Sequence, residues 1–201
     1  VILSLAAALA AAEAPLQMSV YATAGDVKRS LSTPEGRDHV AAILRDLHVT
    51  GIFLEGRRGE SYVSAAEMKP IKEYFVTHGF RVAGGIATVP GRTWGVRQNG
   101  PYGWLNYQNE KTQRELAEFF RENAGVFEEI IIDDFYCTDD TTPESEKARG
   151  SRSWGQYRRD MLVGLLQTAV FQPARAARPD VRLIMKYPQW YDRFHLFGYD
   201  P

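Results

Sequence analysis

Cys137 is the single cysteine in 201 residues. An internal disulfide is therefore impossible, and the fold must be held by its core. Four histidines, His39, His48, His78 and His195, are scattered along the chain, and no H-x-x-x-H or H-E-x-x-H pair occurs. The usual ligand spacing of a zinc hydrolase is thus missing. No G-x-G-x-x-G follows the first strand-like segment and no Walker loop appears, so the nucleotide-binding folds lose support. The absence of G-x-S-x-G removes the nucleophile elbow of the common esterases. Neither sign of charge dominates, with 24 Lys plus Arg against 25 Asp plus Glu. No net field recruits nucleic acid or an acidic membrane. The N-terminal apolar stretch, residues 1–12 (VILSLAAALAAA), is too short to span a bilayer.

What is present suits one folded domain. A chain of this length can bury a sizeable core, and its 44% hydrophobic and 24% charged residues are an ordinary globular mixture. Residues 1–12 look like the apolar region of a secretory signal, and Ala10-Ala11-Ala12 before Glu13 satisfies the small-x-small cleavage rule. An ordinary Ala-rich helix is the competing explanation. As a signal, residues 1–14 are a processing remnant, 15–201 form the folded domain, and the protein is secreted or periplasmic.

The remainder alternates between strand and helix patterns. Residues 18–24 (MSVYATA), 49–54 (VTGIFL), 80–88 (FRVAGGIAT), 130–132 and 181–187 (VRLIMKY) read as strands. Between them, Thr33-Pro34-Glu35 opens a helix that runs to about His48. Ser64-Ala65-Ala66-Glu67 is a capping box for a second helix, ended by Gly79. Residues 109–124 place Leu116, Phe119 and Phe120 on one helical face. Residues 153–177 form a long helix that Pro173 kinks or divides. Five strands alternating with four helices predict a parallel sheet of βαβ units. An open doubly wound sheet and a (β/α)8 barrel both fit. Long loops after the second, third and fourth strands favour the barrel, whose chemistry sits at that face. A barrel needs roughly 250 residues, so the expectation is the N-terminal five units of a (β/α)8 TIM barrel.

The most telling stretch is residues 128–137 (EEIIIDDFYC). Three β-branched residues end in adjacent carboxylates, Asp133 and Asp134. Acids ending a buried strand are costly unless the site needs them. Side chains alternate along a strand, so one can face the site while the other orients a loop. A helix cap or a salt bridge is the structural alternative.

Residues 131–136 (IIDDFY) resemble the fourth-strand motif of TIM-barrel glycoside hydrolases. The later segments Ser153-Trp154, Tyr157-Arg158, Pro173-Ala174-Arg175 and residues 186–191 (KYPQWY) are similar to bacterial glycoside-hydrolase-like proteins of unassigned activity. The resemblance covers about residues 17–201. It implies a catalytic nucleophile or principal site carboxylate at Asp133, with Asp134 in support, and a general acid from a later strand, expected beyond Pro201.

Further candidates flank this pair. Glu55, ending the second strand, is either a second site carboxylate or a partner of Arg57 or Arg58. Lys186 ends the fifth strand, where it can bind sugar hydroxyls or pair with Asp133 or Asp134. The loop over residues 90–108 carries Trp94, Tyr102, Trp104 and Tyr107 among glycines. These rings either stack on sugars or form a mini-core. Tyr136, Trp190 and Tyr191 are candidates for further walls of the cleft. Residues 138–152 read as a solvated loop, with Asp139 and Asp140 as a weaker cation option. The expected partner is an oligo- or polysaccharide, without a cofactor, nucleic acid or membrane. A non-catalytic carbohydrate-binding barrel and a metal-dependent carbohydrate deacetylase are the alternatives.

Overall fold

The computed structural model describes residues 16–133 and 135–199. The signal-like residues 1–14 and Asp134 lie outside the described residues. In chain order the strands are β1 (Ser19–Ala22), β2 (Gly51–Arg58), β3 (Ser61–Tyr62), β4 (Arg81–Ala87), β5 (Glu129–Ile132) and β6 (Arg182–Met185). The helices are α1 (Ala24–Ser30), α2 (Pro34–Asp46), α3 (Ala65–Thr77), α4 (Glu110–Ala124), α5 (Pro143–Arg149), α6 (Trp154–Leu165), α7 (Gln172–Ala177) and α8 (Phe194–Phe197). A π-helical turn, Leu166–Phe171, joins α6 to α7.

The helix starts follow the local chemistry. The Thr33 side chain accepts from the Gly36 amide, with Pro34 in the first turn. Ser64 and Glu67 close a full capping box on α3, and Asn109 caps α4. Pro173 has no N–H to offer the carbonyl four residues back. The ladder widens just before it, with the Gln172 amide bonded to the Gln167 carbonyl. Division of the long helix at Pro173 therefore takes the form of a π turn.

The sheet order is β1-β2-β4-β5-β6, every neighbouring pair is parallel, and β3 pairs antiparallel with β2. Along the parallel path each strand lies beside the next one in sequence. A doubly wound sheet reverses order at a switch point, and among the described strands no reversal occurs. Right-handed crossovers all advancing in one direction put their helices on one face. That face carries Ile52, Leu54, Val82, Ile86, Ile130 and Ile132, all buried against Met68, Ile71 and Phe75 of α3 and Leu116, Phe119 and Phe120 of α4. Each such aliphatic side chain stabilises the fold by about 1.5–3 kcal/mol. The opposite face presents Tyr21, Phe53, Ala83, Gly85, Ile131 and Ile184 by strand alternation. It is apolar yet less covered, and Ile184 remains 36% exposed.

Two local features depart from the sequence expectations. The second strand does not stop at Leu54 but runs to Arg58 and turns back through Gly59-Glu60 into β3. Gly59 makes that turn possible by taking φ +54°, a left-handed value that suits glycine. Residues 138–152 are not a solvated loop. Thr142-Pro143-Glu144 repeats the start signal of Thr33-Pro34-Glu35 and opens α5. Asp140 is buried there, accepting from the Asn99 amide and from the Thr142 and Ser145 hydroxyls. Arg158 ties the same segment down through the Asp139, Asp140 and Leu196 carbonyls.

Candidate active site

The apolar run of β5 ends at Ile132, and the Asp133 amide still bonds the Ile86 carbonyl of β4 at 2.9 Å. Asp133 is therefore held as a continuation of the strand. Ile131 and Asp133 lie two apart, so the carboxylate emerges on the face away from the helices. One oxygen, Oδ2, accepts from Arg58 Nη2 at 2.7 Å, and the other, Oδ1, from Lys186 Nζ at 2.8 Å. Asp133 is 7% exposed, and the Lys186 side chain is 51% exposed. Ile132 is in register with Met185, and the Lys186 amide bonds the Ile132 carbonyl at 3.0 Å. The Asp133–Lys186 ion pair thus follows directly from strand register.

Arg58 arrives by a less regular route. Glu55 and Arg58 are three apart, an odd spacing that a regular strand sends to opposite faces. The register between β2 and β4 shifts at Gly56, where Glu55 pairs with Gly85 but Arg57 with Ile86. This bulge inserts one residue and restores Arg58 to the Glu55 face. Arg57 goes to the helix side, like its partner Ile86. Gly56 fits because a Cβ there would lie 3.0 Å from Asn123 Oδ1 and 3.1 Å from the Phe119 ring.

Glu55 is fully buried and its oxygens are occupied. Oε1 accepts from Tyr21 OH at 2.8 Å and from Arg58 Nη2 at 2.8 Å, and Oε2 accepts from the Ala24 amide at 2.7 Å. Arg58 Nε lies 3.1 and 3.0 Å from the two oxygens. Glu55 therefore stands behind Arg58 as its anchor. Burial opposes the charge on Arg58, but the bonds and fields of Glu55 and Asp133 outweigh it and hold the guanidinium charged. Burial first, then the Glu55 charge, pushes the Tyr21 phenol far above its ordinary value. The result is an alternating row, Glu55, Arg58, Asp133 and Lys186, in which each buried charge faces its opposite.

The row crosses β4, and the sequence of β4 explains how. Ala83, Gly85 and Ala87 leave a shallow trough on this face. A Cβ on Gly85 would sit 3.0 Å from Tyr21 OH and 3.3 Å from Ile131 Cγ2. Two strand spacings, about 10 Å, are thereby bridged by the arm of Arg58.

The aromatic candidates divide. Trp104 is 5% exposed, stacked under Tyr102 at 4.4 Å and 5.9 Å from Trp190, with Phe135 packed on the same cluster. Phe135 also lies 5.6 Å beneath the Arg58 guanidinium, which joins this cluster to the charged row. Trp94 is in the helix-side core, 5.2 Å from Arg57. Tyr136 is buried with its hydroxyl donating to the Leu162 carbonyl of α6 at 3.1 Å. Neither Trp94 nor Tyr136 joins the row. Most of the loop over residues 90–108 is the mini-core alternative: Trp94, Trp104 and Tyr107 are buried and Tyr102 alone of the four is exposed. Tyr107 OH donates to the Phe135 carbonyl at 3.1 Å and steadies the turn after Asp133. Asp134 lies outside the described residues. Tyr21 escaped sequence reasoning, and Arg58 entered it only beside Arg57 as a partner for Glu55; Gly56 lies past the expected strand end at Leu54 and becomes a bulge marker only because the strand runs on to Arg58. Among the described residues, no three His, Cys, Asp or Glu side chains are grouped to hold a metal ion.

The family model described as "Probable glycosyl hydrolase, catalytic domain" matches residues 6–201. An uncharacterized protein of Saccharolobus solfataricus is 26% identical over 176 residues, covering 77% of this chain. The chain spans 30% of the length of that curated relative. A solved structure of a hypothetical protein from Ruminiclostridium thermocellum superposes with TM-score 0.56 at 13% identity, covering 89% of this chain and 98% of that one. An exo-β-1,4-mannosidase from an Opitutaceae bacterium gives TM-score 0.47 at 9% identity, over 84% of this chain and 31% of its own.

Proposed function

The chain belongs to the probable glycosyl hydrolase catalytic-domain family, and we propose that it cleaves O-glycosidic bonds with Asp133 as its principal site carboxylate. The observation that carries this is the clamp on Asp133, with one cation on each oxygen at the C-terminal end of a parallel strand. A carboxylate beside two cations is held ionised and is a weak base. That state suits a nucleophile or the stabiliser of an oxocarbenium-like transition state, and it is wrong for a general acid, which must carry a proton. The acid then has to be a different carboxyl group. In this reading a substrate hydroxyl takes up part of the half-exposed Lys186 ammonium's contact while Lys186 still neutralises Asp133. The sequential parallel sheet supports assignment of residues 15–201 to the N-terminal five units of a (β/α)8 barrel, with the less covered apolar face turned to the barrel axis. The signal-like residues 1–12 support an exported enzyme.

Asp133→Ala, in the protein carrying its full complement of domains, tests the assignment. Hydrolysis of a panel of aryl glycosides and oligosaccharides should fall to background while urea unfolding stays cooperative. Turnover within about tenfold of the parent would remove Asp133 from catalysis. Binding without turnover in the parent protein would move the family member to a non-catalytic role.

A further inference from the structure

Beyond Asp133 and its partners, we propose that the cleft between Tyr102 and Trp190 is a subsite for a neutral pyranose unit of an oligosaccharide. This deepens the hydrolase reading and rests on it. The cavity encloses about 340 Å³ and is lined by Tyr102, Trp104, Gln189, Trp190, Asp192 and Arg193. That is near the lower end of small-ligand sites, about 300–1,000 Å³, and suits a sugar or a disaccharide.

The aromatic frame is already rigid. Tyr102 stacks on Trp104, with the rings 20° apart, and Trp190 leans on Trp104 at 31°. Phe197 meets all three rings, edge-on to Tyr102 and Trp104 at 88° and 83°. Trp104, 5% exposed, backs the other rings from beneath, while Tyr102 is 41% exposed and offers an outer face. Rings fixed by their neighbours lose little freedom on binding, and an apolar ring face matches the axial C–H face of a pyranose.

The rim supplies the polar half. Gln189 brings an amide donor and acceptor, Asp192 an acceptor and Arg193 a fork of donors. The Asp192 and Arg193 side chains are 82% and 61% exposed, and their charges lie 3.8 Å apart. Because they cancel, the rim has no net attraction for an anionic sugar. Paired donors and acceptors around a ring face select vicinal hydroxyls.

Position links the cleft to the carboxylate. Gln189 follows Lys186 by three residues, and the Lys186 ammonium bonds Asp133. From the other side, Phe135 packs on the aromatic cluster two residues after Asp133. A sugar on this platform and the bond above Asp133 can therefore belong to one oligosaccharide.

The test uses Asp133→Asn protein, so that binding is read without cleavage. Cellohexaose, mannohexaose, maltohexaose and a hexagalacturonate are titrated by calorimetry and tryptophan fluorescence. At least one neutral hexasaccharide should bind. Trp190→Ala and Tyr102→Ala should each weaken it about tenfold, and Trp190→Phe should recover most of the loss. The exposed changes Gln189→Ala and Arg193→Ala, which leave the packed rings in place, should weaken binding about threefold or more. Unchanged affinity in all four alanine variants, preference for the hexagalacturonate, or no binding by any of the four probes would overturn the subsite. The two readings fail differently. If the parent enzyme cleaves a neutral hexasaccharide with the same KM in Trp190→Ala, the subsite falls and the hydrolase stands. If the hexasaccharide binds through Trp190 and the parent never cleaves it, the hydrolase falls and the subsite stands.

Discussion

Replacing Arg58 by methionine would strand Glu55. In the parent, the fully buried Glu55 carboxylate is served by Tyr21 OH, the Ala24 amide and two nitrogens of Arg58. The substitution keeps most of the side-chain volume but leaves a buried charge with two neutral donors and no counter-ion. Breaking one side of a buried ion pair costs about 3–5 kcal/mol. The Arg58 side chain is 32% exposed, so water can enter behind it. The lower end, about 3 kcal/mol, is the expected loss. In a domain of this size that lowers Tm by roughly 6–12 °C, and it removes a large part of the 5–15 kcal/mol typical of a folded domain. The same logic predicts a rescue. Glu55→Gln in the Arg58→Met background deletes the stranded charge and should return about 1–2 kcal/mol. Lys186→Met is the contrast: its side chain is half exposed, and Asp133 keeps Arg58, so the loss should stay below about 1 kcal/mol. Urea unfolding followed by tryptophan fluorescence and circular dichroism gives all four values. A loss under about 1 kcal/mol for Arg58→Met, or a double variant no more stable than the single, would refute the stranded-charge argument.

Two further substitutions probe the same row from different sides. Gly85→Val places a branched side chain where even a Cβ lies 3.0 Å from Tyr21 OH, so overpacking should cost about 1–3 kcal/mol in urea unfolding; a neutral outcome would mean that β4 does not form the trough. Tyr21→Phe should reshape the alkaline limb. The phenol's folded value is raised, so its protonated form contributes stability in full below the ordinary tyrosine value near pH 10, and that contribution drains away as pH rises further. Between pH 9 and 11 the parent should lose stability more steeply than the variant, by up to about 1.4 kcal/mol per pH unit. Burial also raises Tyr107 and Tyr136, so some slope should remain. Superimposable limbs would show that Tyr21 is not held protonated by the fold.

The alternating architecture was legible because each element carries its own local signal. Thr33-Pro34, Ser64 with Glu67, and the face of Leu116, Phe119 and Phe120 depend on neighbours within a turn or two, and the structure reproduces them. The second Thr-Pro-Glu was equally local and equally readable at residues 142–144. Its surroundings hid it, since a run of polar and charged residues reads as solvated until Asp140 is seen accepting three hydrogen bonds in the interior. The strand order was not legible in the same way. Alternation alone leaves the open sheet and the barrel both standing; the registers exclude an order reversal among the described strands.

Direction, more than residue type, separates what was legible in the site from what was not. From sequence Lys186 could be placed beside Asp133 or Asp134, because all three follow the ends of adjacent strands; the observed register of Ile132 with Met185 brings it to Asp133. Regular strands preserve parity, so once that register is fixed the facing of both side chains follows. Trp94 and Tyr136 have the right chemistry for a sugar wall, yet they sit in segments without strand or helix periodicity, where sequence offers no rule for facing. Arg58 is the harder case. Its spacing from Glu55 argues against contact in any regular strand, and a single glycine reverses the conclusion. Gly56 is tolerated there because Phe119 and Asn123 of α4 fill the space that a side chain would need. Glycine at the bulge that aims Arg58 at Asp133 is thus required by a helix more than 60 residues away. Short-range pattern cannot supply a constraint of that range, and it is the one that determines which arginine, Arg57 or Arg58, faces the carboxylate.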